Sequence, residues 1–258
     1  MNILDEIVSK TRERVAVEKA EGVREPADSG RDPFLFERVL RGVDMKIICE
    51  IKKAAPTTGW KVESFPYMTI ARHYEEAGAS AISIFTEPNF FGGESRYLAE
   101  IREVTDLALL RRDFIIDPFQ IMQSATFGAD GIMLTCSIVT PEQLGEYIRL
   151  ADVYGISSLV DVRDEGELEI AVSAGARILF ADAYSHQTGE LQMERVVRLK
   201  EFCPPGCIFV AGGGISTPEH VAVLRKAGIN ALIIGQAIMG IPNKKARLGQ
   251  LCGRAGMF

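Results

Sequence analysis

The sequence predicts an α/β protein, a (β/α)8 or TIM barrel with an amino-terminal helical extension, on three observations. Eight short apolar runs recur along the chain, each typical of a buried parallel strand. Stretches with helical spacing separate these runs, and four of them end in a glycine suited to the left-handed position after a helix: Gly78, Gly128, Gly175 and Gly228. The chain has 258 residues, a usual length for one such barrel. An open flavodoxin-like sheet is the alternative, but it usually has fewer strands.

The eight apolar runs give the predicted order of strands. They are Lys46–Ile51, Ala81–Phe85, Ala108–Arg112, Gly131–Thr135, Ser158–Val162, Ile178–Asp182, Ile208–Ala211 and Ala231–Ile234. Helical spacing fills the intervals between most of these runs. The predicted helices are Thr69–Ala77, Tyr97–Val104, Gln120–Phe127, Pro141–Tyr154, Glu165–Ala174, Glu194–Phe202 and Pro218–Ala227.

The part of the chain before the first run is predicted to be mostly helical. Residues 2–20 carry a broken apolar stripe among charged residues, which is typical of an amphipathic helix. Residues 21–32 are polar with Pro and Gly, which indicates a loop, and residues 33–41 form a second short helix. We therefore predict a single domain with an extension and a barrel, at residues 1–258, 1–45 and 46–258 respectively.

Charge and hydropathy exclude several classes of partner. The net charge is −6, so we expect no general attraction for nucleic acid or for an anionic membrane surface. No apolar run approaches the roughly 20 residues that cross a membrane. The first 20 residues are charged with both signs and lack the apolar core of a signal peptide. We expect a cytoplasmic protein.

The cysteines and histidines give no sign of a disulfide framework or a metal site. The chain has 5 cysteines, an odd number, which favours a reduced protein over a disulfide scaffold. Cys203 and Cys207 are separated by Pro-Pro-Gly, and no second Cys/His pair stands near them. The histidines, His73, His186 and His220, are scattered. We expect neither a metal nor an organic cofactor.

The first predicted strand ends in an acid and an amine on one face. Glu50 and Lys52 are two residues apart, so they point to the same side of a strand, which in a barrel is the interior. Charged residues are rarely buried unless paired, so the two are either functional or a structural ion pair. Reacting groups in these barrels lie where strands end and βα loops begin, which favours function.

The second and third strands also end in candidate residues. Phe90 and Phe91, followed by two glycines, indicate a mobile loop whose apolar surface suits an aromatic ring, although a plain hydrophobic anchor explains it equally well. Arg112 ends the third strand. Because arginine keeps its proton near neutral pH, it is a good anion clamp and a poor acid.

Glycine-bearing loops after the last two strands predict a phosphate site. Gly213 and Gly214 follow the seventh strand, and Gly235 with Gln236 follows the eighth. Glycines let backbone N–H groups approach an anion, and a helix amino terminus adds a favourable dipole. Phosphate sites recur after strands 7 and 8 of such barrels. The predicted ligand is a phosphorylated small molecule.

Together these segments resemble the indole-3-glycerol phosphate synthase family over nearly the whole chain. The segments that carry the resemblance, in chain order, are IICEIKKAAPTTG, ISIFTEPNFFGG, LLRRDFIIDPFQI, GADGIMLT, LVDVRDEGEL and AGGGIS. The family closes an indole ring on 1-(2-carboxyphenylamino)-1-deoxyribulose 5-phosphate with loss of carbon dioxide and water, a step of tryptophan biosynthesis. The resemblance implies a carbon–carbon lyase that is commonly a monomer.

The resemblance also implies roles for single residues. Glu50 and Lys52 match the family's first-strand pair, with Lys52 binding substrate anions and helping as an acid. Arg112 stands where the family has a lysine acid, and Asp161 where it has a glutamate base. The residues expected to contact the substrate are Pro56, Phe91, Phe114, Asp182 and Tyr184, and those expected to bind its phosphate are Gly213, Gly214, Gly235 and Gln236.

Departures from the family pattern leave three functions open. Besides Arg112 and Asp161, the chain has Asp182 and Tyr184 in place of Asn and Arg, and a glycine triplet in place of Glu-Ser-Gly. One interpretation is the family reaction with reassigned roles, Lys52 being the acid and Asp161 the base. The others are a paralogue acting on a related phosphorylated aminoketose, in secondary metabolism for example, and a catalytically silent binder of a phosphate ligand.

Overall fold

The computed structural model is a closed barrel of eight parallel strands, as the sequence predicts. It describes residues 3–22, 32–185 and 188–253. The barrel strands are β1 (Lys46–Ile51), β2 (Ala81–Phe85), β3 (Ala108–Arg112), β4 (Gly131–Thr135), β5 (Ser157–Asp161), β6 (Ile178–Asp182), β7 (Ile208–Gly212) and β8 (Ala231–Ile234). Each strand pairs with the next in the chain, and β8 pairs with β1 to close the sheet. The predicted fifth strand was one residue late, and the predicted seventh ended one residue early.

Helices alternate with the strands. They are α1 (Ile3–Glu21), α2 (Leu35–Leu40), α3 (Tyr67–Glu76), α4 (Pro88–Phe91), α5 (Arg96–Arg102), α6 (Pro118–Thr126), α7 (Pro141–Val153), α8 (Glu165–Ser173), α9 (Met193–Glu201), α10 (Pro218–Lys226), α11 (Gln236–Met239) and α12 (Lys244–Leu251). The four glycines predicted to follow helices all have positive φ, between 74° and 96°. Most of the predicted loop 21–32, together with His186, lies outside the described residues.

The sequence patterns missed three short helices and one hairpin. The helices α4, α11 and α12 are too short or too polar to give a periodic signal. The hairpin pairs Ala54–Ala55 with Trp60–Lys61 across the turn Pro56–Thr58. The segment around Phe90 and Phe91 is helical and not the predicted loop, because the buried Glu87 carboxylate accepts three backbone N–H groups and starts α4 there.

The apolar core has two layers, and the inner one sets the position of the site. Inward side chains fill the barrel, among them Ile48, Leu110, Leu159, Val210 and Ile233. Phe36 and Leu40 of α2 pack against this inner layer. Side chains alternate along a strand, so the next inward position lies two residues further on. Those positions are Glu50, Arg112, Asp161, Gly212 and Gly235, all at the carboxyl ends of their strands.

The amino-terminal helix is anchored at the same end of the barrel. Arg14 of α1 donates a 2.9 Å hydrogen bond to Asp113, just after β3. Lys19 of α1 lies 3.0 Å from Asp117 at the start of α6. Because both carboxylates follow the carboxyl end of β3, α1 lies beside the mouth where the candidate site residues meet. In the ranges the structure covers, every helix is too short or too polar to traverse a lipid bilayer.

Candidate active site

A buried carboxylate with two cationic partners lies at the centre of the mouth. Lys52 Nζ is 2.7 Å from Glu50 Oε1, and the Arg112 guanidinium donates to Glu50 Oε2. The Glu50 side chain is 3% exposed, so water has little access to its carboxylate and does not compete with the two cations. Burial alone would raise the pKa of Glu50, but Lys52 and Arg112 outweigh it and hold the pKa below its usual range. The predicted pair on β1 is therefore a triad that includes β3.

The glycine at the end of β8 makes room for this carboxylate. A Cβ added to Gly235 would lie 2.4 Å from Glu50 Oε1. The backbone of Gly235 does not have a positive φ, so the need for glycine here is steric. Gly235, predicted to bind phosphate, thus also shapes the pocket of Glu50. This contact places the glycine turn after β8 and the charged triad side by side.

Aromatic rings surround both cations. The Arg112 Cζ is 4.8 Å from the ring centroid of Phe85 and 5.3 Å from that of Phe180. The Lys52 Nζ is 5.9 Å from the rings of Phe85 and Trp60. Cations at these distances are attracted by the ring quadrupole. The mouth therefore holds two oriented positive charges on an apolar wall, which suits an anionic aromatic ligand.

A second carboxyl group stands across the mouth from β1. Asp161 ends β5, and Asp182 ends the neighbouring β6. Asp161 keeps part of its surface open, yet the protein atoms around its carboxyl group displace most of its water. This burial, followed by the charge of Asp182, raises the pKa of Asp161 to about 7 against the opposing effect of Arg112. A carboxyl group with that pKa exchanges a proton near neutral pH.

The predicted phosphate residues sit on two adjacent turns. β7 and β8 pair through Ala211 and Leu232, so the turns that follow them leave the same end of the barrel. Gly213 and Gly214 have φ of 76° and 69°, which glycine adopts without strain. Gln236 begins α11 after the second turn, and its Nε2 donates to Thr58 Oγ1 at 3.3 Å.

Two predicted substrate contacts pack around the first glycine turn. Asp182 Oδ1 accepts the backbone N–H of Tyr184 at 2.8 Å and would lie 1.7 Å from a Cβ at Gly213. The Tyr184 ring borders Gly214, since a Cβ there would lie 3.8 Å from Tyr184 Cδ2. Tyr184 also forms a bridge with Leu191. The loop after β6 thus leans over the turn that follows β7.

The remaining predicted contacts lie on the β1 to β3 side. Phe91 stacks on Phe85 with centroids 4.2 Å apart, and Phe114 lies 6.1 Å from Phe91. Pro56 begins the turn between the hairpin strands, the same turn that Gln236 reaches through Thr58. These side chains form the rim of the mouth and do not contact the Glu50 triad directly in any hydrogen bond or ring contact of the described residues.

Sequence reasoning did not single out Phe85 and Phe180, the two rings beside Arg112. Both occupy inward positions, Phe85 at the end of β2 and Phe180 two residues before Asp182. Alternation along the strand would have placed both rings in the barrel interior, but it does not distinguish a site residue from a core residue. Large apolar residues in a strand are ordinarily assigned to the core, and the sequence alone gives no reason to separate these two from it.

Comparison with known proteins decides the family. A model of the family described as indole-3-glycerol phosphate synthase matches residues 4–251. The protein of that name from Ruminiclostridium cellulolyticum is 39% identical over 259 residues, which cover 98% of this chain and 100% of that protein. Its namesake from Lachnoclostridium phytofermentans is 37% identical over 96% of this chain and 90% of its own. The chain belongs to the indole-3-glycerol phosphate synthase family.

Solved structures with little sequence similarity share the fold of this synthase family member. A 3-hexulose-6-phosphate synthase from Salmonella typhimurium aligns with TM-score 0.67 at 17% identity, covering 81% of this chain and 97% of that one. A thiamine phosphate pyrophosphorylase from Pyrococcus furiosus aligns with TM-score 0.61 at 17% identity, covering 81% and 94%. Both likenesses support the barrel architecture.

The charged side chains at the mouth of this synthase family member are carboxylates, an ammonium group and a guanidinium group. Among the residues the structure describes, no three His, Cys, Asp or Glu side chains are grouped so that they could hold a metal ion. What the mouth does bring together is a buried acid–amine–guanidinium triad, a carboxyl group with a raised pKa and two glycine turns. This set can bind anions and move protons.

Proposed function

We propose that this chain catalyses the ring closure of 1-(2-carboxyphenylamino)-1-deoxyribulose 5-phosphate to indole-3-glycerol phosphate. The convergence of Glu50, Lys52, Arg112 and Asp161 beside the glycine turns is the observation that carries the proposal. The aromatic carbon that bears the carboxylate bonds to the ketose carbonyl carbon, and the bond to the carboxylate breaks to release carbon dioxide. The carbonyl oxygen then leaves as water, which requires a proton donor and a proton acceptor at the same mouth.

Lys52 is the proposed proton donor to the carbonyl oxygen. Its Nζ lies 2.7 Å from Glu50 Oε1, which holds the amine at a fixed place on the mouth. An ammonium group placed there donates a proton to the oxygen as the new carbon–carbon bond forms, and regains one from solvent. Glu50 acts on the substrate through Lys52 and Arg112.

Arg112 is the proposed clamp for the anthranilate carboxylate. Its guanidinium already rests on the Phe85 and Phe180 rings and presents a planar set of donors. A guanidinium binds a carboxylate through two parallel hydrogen bonds, which orients the group for its departure. Phe91, which stacks on Phe85, and Phe114, which lies tilted against Phe91, offer an apolar surface to the aromatic ring of the substrate.

Asp161 is the proposed base for the dehydration. The reaction removes a proton from the carbon next to the amine when the hydroxyl group leaves as water. With a pKa of about 7, the Asp161 carboxylate is a stronger base than an ordinary aspartate and is still largely ionised in slightly alkaline solution. Asp182 contributes by raising that pKa and by holding the Tyr184 loop.

The two glycine turns are the proposed phosphate grip. Gly213 and Gly214 after β7 and Gly235 and Gln236 after β8 stand on adjacent strands, so their backbone amides can converge on one anion. Gripping the phosphate at this side directs the rest of the substrate across the mouth toward Lys52, Arg112 and Asp161. Remote binding of this kind orients the reacting carbons.

Turnover of the substrate tests the proposal. The purified chain is mixed with the carboxyphenylamino ribulose phosphate, and indole fluorescence and carbon dioxide release are followed together. We expect both at equal rates, and we expect the gene to restore growth of a tryptophan auxotroph that lacks the synthase. Tight binding without turnover would instead identify a silent binder. Neither binding nor turnover would identify a paralogue with another substrate.

We also propose that the enzyme acts in the cytoplasm as a monomer. The candidate site residues of one chain lie together at one mouth of its barrel, which supports this proposal. The buried Cys49 and Cys136 are free thiols, in keeping with a reducing compartment. Light scattering coupled to size-exclusion chromatography should give the mass of one chain, about 28.3 kDa. A dimer mass would contradict the monomer.

A further inference from the structure

Steric exclusion alone explains the glycine at position 212. Gly213 and Gly214 have positive φ, which a side chain would strain, but Gly212 does not. A Cβ at Gly212 would instead lie 2.7 Å from Cε2 and 2.9 Å from Cζ of Phe180. Real Cβ atoms do not approach ring carbons so closely. The ring of Phe180, reaching over from β6, fills the space that a side chain on β7 would need.

The ring that fills this space also contacts the Arg112 guanidinium. Phe180 is fully buried within the inner layer of the barrel, and its ring centroid lies 5.3 Å from Arg112 Cζ. Arg112 has Phe85 as its second ring neighbour and Glu50 as its hydrogen-bond acceptor. These three contacts restrict a long side chain that otherwise has many rotamers. Gly212, Phe180 and Arg112 thus form a chain of contacts from β7 through β6 to β3.

We propose that Phe180 is a positioning residue for Arg112 and that Gly212 is its required steric partner. Phe180 holds the guanidinium plane toward the mouth, where Arg112 meets the carboxylate of the substrate. The identity of that carboxylate rests on the proposed function, whereas the restraint on Arg112 does not. The pair therefore sets how well the reacting anion is oriented, and Phe180 acts only through Arg112.

A leucine at position 180 separates this role from simple core filling. Leucine keeps an apolar side chain in the inner layer but has no ring face for a guanidinium. We expect Phe180→Leu to lower kcat/KM about tenfold, mainly through kcat, with a small change in melting temperature. In an Arg112→Met background, Phe180→Leu should change melting temperature as before and leave the residual kcat/KM unchanged. An equal fold-loss of kcat/KM in both backgrounds would overturn the proposal.

A second pair of variants tests the steric partnership. Gly212→Ala should lower kcat/KM about tenfold in the chain with Phe180, because the new Cβ displaces the ring. In a Phe180→Leu background the same change should cost less than twofold, since leucine lacks the ring carbons that the Cβ would meet. If the losses from the two changes multiply, the residues act independently and the proposed partnership is wrong.

A measurement without turnover keeps this inference distinct from the proposed function. The Nε–H resonance of Arg112 is assigned by its absence from the spectrum of Arg112→Met. Ring currents from Phe85 and Phe180 should displace it from the usual arginine position, and Phe180→Leu should return it part of the way. The wild-type chain could fail to turn over substrate while its Arg112 resonance is displaced and returns part of the way in Phe180→Leu. In that case only the proposed function fails. An unmoved resonance would overturn the restraint on Arg112 whatever the activity.

Discussion

Arg14 and Asp113, 99 residues apart in the chain, join the amino-terminal helix to the end of β3 through a 2.9 Å hydrogen bond. The Asp113 side chain is fully buried and also accepts hydrogen bonds from Arg111 and Thr86. Burial opposes its ionisation, but Arg111 and Arg14 prevail and lower the pKa of Asp113 to about 2. This contact holds α1 against the strand that carries Arg112.

Removing Arg14 should destabilise the fold. Arg14→Met leaves the buried Asp113 carboxylate with one fewer cationic donor, at a cost of about 1–3 kcal/mol in the free energy of unfolding. Denaturant titration measures this cost. Lys10→Met, which removes an exposed pair with Glu13 on the same helix, is the matched control and should change the free energy of unfolding far less, because exposed ion pairs contribute little to stability. Equal costs for the two variants would show that the buried anchor contributes no more than a surface ion pair.

The proposed acid, Lys52, should be distinguishable from its neighbour. Lys52→Met removes the proton donor and should lower kcat by about 10² to 10⁴. Lys53→Met is the control, because Lys53 packs beside Gly92 and has no contact with Glu50 among the described residues. Steady-state kinetics on both variants measures the difference. A Lys52→Met enzyme with wild-type kcat would remove Lys52 from the mechanism.

A lysine in place of Arg112 should raise the rate of the chemical step. Arginine binds an anion well but keeps its proton, whereas a lysine at the same strand end supplies a second donor. We expect Arg112→Lys to increase kcat by about tenfold and to weaken substrate binding, because the stacked guanidinium is lost. Arg112→Met, which removes the charge and the hydrogen-bond donors together, should lower both kcat and the affinity for substrate. No gain with lysine would mean that Lys52 alone delivers the proton.

The activity should depend on pH through Asp161. If its ionised form is the base, kcat/KM rises as pH passes through about 7. Asp182→Asn removes the neighbouring charge, keeps an acceptor for the Tyr184 N–H, and should move this rise to lower pH. Glu169→Gln, an exposed change on α8, should leave the profile where it was. If Asp182→Asn leaves the pH dependence of kcat/KM unchanged, Asp161 is excluded as the titrating group.

The same carboxyl group should affect stability, with a defined sign. In the unfolded chain an aspartate ionises near pH 3.9, whereas in the fold Asp161 does so near 7. Between these values the folded state binds the extra proton, so stability falls as pH rises. Asp161→Asn should therefore gain melting temperature relative to the wild type as pH increases from 5 to 8. Arg112 opposes the effect and Glu167 adds to it, so the gain depends on their presence as well.

The glycine turn after β7, which we propose binds phosphate, should lose phosphate affinity on a substitution that leaves this affinity unchanged at a similar turn elsewhere. Gly214→Ala places a Cβ at φ 69° and 3.0 Å from Leu191, which tilts the turn. Gly206→Ala imposes comparable backbone strain at φ 89° but meets no atom within 4 Å. Both should lower melting temperature, and only Gly214→Ala should weaken inorganic phosphate binding, by about tenfold in calorimetry. Equal phosphate affinities would remove Gly214 from the grip.

Strand ends could be predicted from the sequence because burial follows a simple alternation. The interior of a barrel is mostly apolar. A charged residue such as Glu50, two places after the inward Ile48, therefore indicates that the strand has reached the mouth. Arg112 was predicted from its place at the end of a strand, whereas Asp161 was predicted from the family resemblance. Helices of four residues such as α4 gave no signal, because their start depends on one carboxylate, Glu87, and not on a repeating pattern.

Contacts between strands were beyond the sequence for a physical reason. Whether Gly212 serves a phosphate or a ring depends on the side chain that a neighbouring strand directs at it, and the run of glycines looks the same in either case. The proton affinity of Asp161 likewise depends on how much water Asp182 and the strands around it leave at the carboxyl group. Such properties belong to the register of the closed sheet, which residue patterns do not specify.

The exclusion between a Cβ at position 212 and the ring at position 180 restricts how this sequence can be altered. To place a carboxylate at position 212 of β7, Phe180 must first be replaced by a smaller residue. If position 212 is changed first, the new side chain meets the Phe180 ring. Libraries that vary position 212 alone will therefore report low activity for side chains that a smaller residue 180 would accommodate.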